Sequence, residues 1–149
     1  MSAFDPKRTF QELLYCNFFD PLEALGRCRW CHKAMCLVPA RANIPVGIGI
    51  PIHRHFFMEE GFYVVDGSGS LILDDVRYPI VKGASIFIPM NSWHGFESAS
   101  HELVLLWTVA PAGLECFFRE IATRPGASPI QRSKKQLNEI ASKYGTEFR

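Results

Sequence analysis

Three histidines and one glutamate carry the chemistry that is easiest to read in this chain. His53 and His55 form an H-x-H pair, Glu60 follows shortly after, and His94 stands in a second segment behind Pro89. Three imidazoles and a carboxylate suit a divalent transition metal such as Fe(II), Mn(II), Ni(II), Cu(II) or Zn(II). Four protein donors leave coordination positions open for substrate, water or oxygen.

For these side chains to meet, the elements bearing them must be strands. In a strand, residues two apart point the same way, so His53 and His55 present both rings into one space. Gly47 and Gly49 share that parity and are expected to leave room on the same face. Glu60 opens the next strand with Phe62 and Val64 on its face, and His94 shares a face with Phe96 and Ser98. If the sheet curls into a barrel, the four donors converge inside an apolar lining that excludes bulk water. Phe62 and Phe96 are the expected substrate contacts. Trp93, Phe56, Phe57 and Tyr63 lie near the donors in sequence and suit either a pocket wall or a core. Arg54 alternates with the ligands and is expected to point outward.

The texture of residues 41–111 supports strands. Short segments rich in Ile, Val, Phe and Tyr alternate with Gly, Pro, Asn and Asp, which predicts strands at 47–55, 61–65, 70–74, 77–81, 85–89, 94–98 and 103–110. Asp66-Gly67, Asp74-Asp75 and Lys82-Gly83 supply the turns. So many short antiparallel strands imply a sandwich or a small barrel. Before residue 41 the pattern reads as a cover segment: a helix start at Asp5-Pro6, breaks at Pro21 and Gly26, and a β-like run at 30–38. After Pro111, Leu114, Phe117, Phe118 and Ile121 fall on one helical face. A last helix is expected over 129–144, with Gly145 as its stop and Arg132, Lys134, Lys135 and Lys143 on a solvated side.

Composition narrows the function classes. The chain has 149 residues, about half of them apolar, which fits one domain over 1–149. A net charge of +1 gives no field to attract nucleic acid or an anionic membrane surface. No apolar leader or membrane-length segment is seen, and five cysteines are an odd number. Reduced thiols in a cytoplasmic protein are the expectation. Cys28, Cys31 and Cys36 lack the further spacing of a zinc knuckle, and His32 and His101 read as surface residues.

The two histidine segments resemble the paired motifs of the cupin superfamily, in its small single-domain, quercetin-dioxygenase-like form. The first motif runs Gly, five residues, His-x-His, three or four residues, Glu, six residues, Gly. Here it is Gly47, His53, His55, Glu60 and Gly67. Glu59 also fits the shorter spacing to the histidines, but only Glu60 keeps the six-residue interval to Gly67. The second runs Gly, five residues, Pro-x-Gly, two residues, His, three residues, Asn, and here reads Gly83, Pro89, Asn91, His94 and Ser98. Asn91 in place of the turn glycine suits a left-handed backbone, and Ser98 replaces a residue that is not a ligand in the family. The segment from Val109 into the following helix resembles the one that packs beneath the sheet in the same group.

The resemblance implies a mostly β, jelly-roll (double-stranded β-helix) barrel over about 41–111, an N-terminal cover over 1–40 and C-terminal helices over 112–149. It implies one metal, Fe(II) first with Mn, Ni, Cu or Zn admissible, held by His53, His55, Glu60 and His94, with Glu60 doubling as the catalytic proton acceptor. The expected activity is dioxygenase-like, on a small enolic, phenolic or carboxylate substrate. A non-catalytic metal-dependent binding or sensing module, or a cupin isomerase or cyclase, is the alternative. The family also implies a homodimer.

Overall fold

The computed structural model describes residues 38–99, 101–122, 130 and 132–149. Residues 1–37 of the expected cover segment, with the cysteines at 16, 28, 31 and 36 and His32, lie outside the described residues, and its last three residues belong to a strand.

Among the described residues, nine strands form two antiparallel sheets. In chain order they are β1 (Val38–Ile44), β2 (Gly49–His55), β3 (Glu59–Asp66), β4 (Ser68–Leu73), β5 (Val76–Val81), β6 (Ser85–Ile88), β7 (His94–Ser98), β8 (Leu103–Ala110) and β9 (Thr146–Phe148). One sheet is ordered β1-β8-β3-β6, the other β5-β4-β7-β2-β9. This is the jelly roll that the sequence led us to expect. Val64, Leu71, Ile88, Phe96, Leu103, Leu105 and Val109 fill the space between the sheets.

The turns follow from their residues. Asp74 and Asp75 both have positive φ (46° and 68°), the geometry of the tight hairpin between β4 and β5. Gly67 and Gly83 occupy positive-φ positions, as does Asn91 at 65°. A short polar side chain tolerates that left-handed position, so the departure from glycine in the second motif costs little.

Helix α1 (Leu114–Ile121) buries Leu114, Phe117 and Ile121 against the barrel. Helix α2 (Lys134–Ala141) is shorter than the expected 129–144. Ser133 and Gln136 form a capping box that fixes its start, and its end tightens into a 3-10 turn over Ser142–Tyr144. Gly145 then stops it at φ 65°. Arg132 precedes the helix and donates to the Ile121 carbonyl, and Lys143 pairs with Glu120 at 2.7 Å, so the expected solvated basic face holds only in part.

Two strands were not anticipated. β1 pairs with β8 along its full length, and β9 adds to the edge of β2. Asn138 on α2 holds β9 by two bonds, its Nδ2 donating to the Phe148 carbonyl and its Oδ1 accepting from the Phe148 N–H.

Candidate metal centre

β2 does not run straight into the site. Its pairing with β7 shifts between Ile50 and His53, so one extra residue of β2 stands opposite β7. Pro51 has no N–H to give the ladder and is suited to such a bulge. Across from it Gly95 has no room for a side chain, since a Cβ would come within 2.8 Å of the Ile50 carbonyl oxygen. The bulge reverses the facing of the strand. Ile50 pairs with Phe96 and His53 with His94, and all four point inward. Gly49 therefore does not share the interior face with the histidines, contrary to the simple alternation, and Gly47 lies in the turn before the strand. Gly49 is paired instead with Glu97, whose carboxylate faces out to Arg77.

The four donors come from both sheets. His53 and His55 sit on β2 and His94 on β7, while Glu60 reaches across from β3. All four are buried, and one donor atom from each lies within 4.8 Å of the others. The Glu60 Oε2 is 2.7 Å from His94 Nε2 and 3.4 Å from His55 Nε2.

Each imidazole is oriented through its other nitrogen. His53 Nδ1 lies 2.7 Å from the Pro51 carbonyl and His94 Nδ1 2.9 Å from the Ser92 carbonyl. A carbonyl only accepts, so both Nδ1 atoms carry the proton and both Nε2 lone pairs face inward. His55 Nδ1 meets Thr146 Oγ1 at 2.8 Å. Inside the site, His55 Nε2, His94 Nε2 and Glu60 Oε2 have no properly oriented hydrogen-bond partner, despite their short separations. Lone pairs turned toward one another in a buried space call for a positive charge between them. A divalent cation fits that requirement.

Electrostatics agree. Burial, reinforced by His94 and His55, holds His53 well below its ordinary value, so it is the neutral, ligating form near neutral pH. Burial alone would raise the Glu60 carboxyl. The His55 and His94 imidazoles beside Oε2 more than reverse this and keep Glu60 ionised.

Three residues that sequence reasoning missed support the donors. Trp107 donates its indole N–H to Glu60 Oε1 at 2.7 Å. On β9, Thr146 holds His55, and Phe148 stacks on His53 with ring centroids 5.4 Å apart. The Trp107 contact was open to inference, because alternation along 103–110 puts it inward with Leu105 and Val109, and a buried indole needs an acceptor. A three-residue strand has no periodicity, so Thr146 and Phe148 gave no signal.

Phe62 and Phe96 face the same interior as the ligands and pack on each other at 4.7 Å. Phe96 is wholly buried and Phe62 nearly so. Tyr63 and Phe57 are exposed and line nothing around the donors. Arg54 points outward as expected, bonded to Glu147 at 2.7 Å and lying over the Phe56 and Trp93 rings.

Three imidazoles and one carboxylate converging between the sheets of a jelly roll fit a divalent metal site of the cupin kind. Residues 40–110 match the family model described as a cupin domain, and this part of the chain is a small cupin domain. The chain is 36% identical over 59 residues to an uncharacterized protein of Methanocaldococcus jannaschii, covering 40% of this chain and 47% of that one. It is 33% identical over 84 residues to auxin-binding protein 1 of Arabidopsis thaliana (50% and 42%). It is 35% identical over 60 residues to quercetin 2,3-dioxygenase of Bacillus subtilis (40% and 18%). The matches thus span less than half the length of each of these relatives. A Bacillus halodurans crystal structure superposes with a TM-score of 0.50 at 22% identity, over 51% of this chain and 63% of that one, a likeness of fold alone.

Proposed function

We propose that this protein is a metal-dependent cupin that acts on a small enolic, phenolic or carboxylate substrate, with dioxygenase-like chemistry. The observation that carries the reading is the set of buried, unpartnered donor atoms on His55, Glu60 and His94, completed by His53. Fe(II) is the first choice of metal for this donor set, with Mn, Ni, Cu and Zn as alternatives. The metal would supply Lewis acidity and a binding position for the substrate oxygen or for O₂.

The chain's own residues have three tasks in this reading. The histidines hold the ion, each fixed through its Nδ1. Glu60 is a ligand and also the proton acceptor for an enol or phenol, at Oε2. A carboxylate held below its ordinary range is a weak base, so it would suit only an acidic substrate proton such as that of an enol or phenol. Phe62 and Phe96 provide the apolar wall that keeps water from the site. The likeness to quercetin 2,3-dioxygenase supports the oxygenase version.

A second reading is a metal-dependent binder without turnover, and the likeness to auxin-binding protein 1 favours it. Oxygen uptake by Fe- or Mn-reconstituted protein across flavonols, catechols and β-diketones separates the two. Consumption of O₂ supports the oxygenase, whereas tight ligand binding with no consumption supports the binder.

A cytoplasmic homodimer belongs to the same proposal. The odd cysteine count suits a reducing compartment, and Cys116 is free. Tyr63 and Leu106 are register partners on the outer side of the four-stranded sheet, and both are exposed there together with Phe87. Sedimentation of the wild type and of Leu106→Glu tests the dimer: a wild-type dimer supports it, and a monomer at micromolar concentration removes it.

A further inference from the structure

The Glu60 carboxylate has its two oxygens divided between two tasks. Oε2 faces His94 and His55, and Oε1 accepts from Trp107 Nε1 at 2.7 Å. Trp107 and Glu60 are both buried. The indole stands directly across from Phe62 in the β3–β8 ladder and reaches Glu60 on the diagonal. Its ring packs on Phe62 on one side and meets the edge of Phe118 at 5.6 Å.

An indole N–H only donates, and here apolar rings surround it. If Glu60 turned Oε1 toward the histidines, that N–H would be left buried with no acceptor, which is unfavourable. We infer that Trp107 is a positioning residue that confines Glu60 to binding through one oxygen. This rests on the metal-site reading above. Its consequence is that a position which a two-oxygen carboxylate would occupy stays free for a ligand from outside. Trp107 thereby acts on the capacity of the site for substrate without touching it.

The test compares wild-type protein with Trp107→Phe, which keeps an aromatic ring and removes the donor. Elemental analysis after reconstitution comes first. No uptake of Zn(II) or Co(II) by the wild type overturns the metal-site reading, and this inference falls with it. With metal bound, Co(II)-loaded Trp107→Phe should show weaker visible absorption than the wild type, since the second Glu60 oxygen raises the coordination number. It should also bind azide about tenfold more weakly. Unchanged absorption and azide affinity in a metal-loaded variant overturn the role of Trp107 alone.

Nuclear magnetic resonance on the wild type decides the matter should Trp107→Phe fail to fold. The Trp107 indole N–H should remain downfield and protected from solvent exchange on Zn(II) loading. An upfield move with loss of protection means that Oε1 has left it for the metal, which overturns the assignment.

Discussion

His53 and His94 face each other across β2 and β7 as register partners, with ring centroids 4.2 Å apart. Each is held by the carbonyl two residues before it, Pro51 for His53 and Ser92 for His94. The bulge at Pro51 makes the pairing possible, because without the extra residue His53 would face solvent. The ligand geometry is thus a property of backbone as much as of side chains.

His94 and Glu60 oppose one another when no cation lies between them, because the Nε2 lone pair stands 2.7 Å from a buried, unpartnered carboxylate oxygen. Glu60→Gln turns that oxygen into an amide nitrogen that can donate to His94. The variant should gain about 1 kcal/mol of metal-free stability, measured by urea unfolding in the presence of a chelator. Its metal content should fall at the same time, since the anionic donor is gone.

Much of the site was legible in the sequence, and the reason is period. His53 and His55, and likewise His94 and Phe96, are two apart on strands. Glu60 was placed by its interval to Gly67, a turn position with φ 83°. What alternation misjudged was the facing of Gly49, because a bulge breaks the period and Pro51 was its cue. The support from β9 was hidden for a different reason. Thr146 and Phe148 are set against β2 by long-range pairing and by Asn138, not by any local pattern.

Thr146 holds the one imidazole that has no carbonyl at its Nδ1. Thr146→Val keeps the shape and removes the hydroxyl. Metal affinity should fall by about 10–100-fold, as for other groups that orient a metal-bound histidine. Competition against a chromophoric chelator measures it, and the circular dichroism of the variant should be unchanged.

Asn91 sits at φ 65°, and its N–H donates to the His55 carbonyl at 2.8 Å, tying the turn to the ligand strand. Asn91→Gly should be close to neutral because glycine adopts this conformation freely. Asn91→Val should cost about 1–2 kcal/mol. Thermal unfolding of the two variants gives the comparison.

Acid should weaken the metal-free protein early. His53 is held below its ordinary 6.5 by burial and by its two imidazole neighbours. The unfolded chain therefore binds a proton there that the folded chain refuses, so stability rises with pH in this window. It is fully present above about pH 6.5 and is lost as the pH falls toward the folded value. Glu60, also depressed, adds a second loss below its ordinary 4.5. Unfolding temperatures in chelator should drop from about pH 7 to about pH 5, and His53→Gln should flatten that drop.

Metal stoichiometry tests the central claim most directly. Wild-type protein reconstituted with Fe(II), Mn(II) or Zn(II) and freed of excess should carry about one equivalent. His53→Ala and Glu60→Ala should carry almost none while remaining folded. Less than about a tenth of an equivalent in the wild type after reconstitution, or full occupancy in both variants, would contradict a metal centre built from His53, His55, Glu60 and His94.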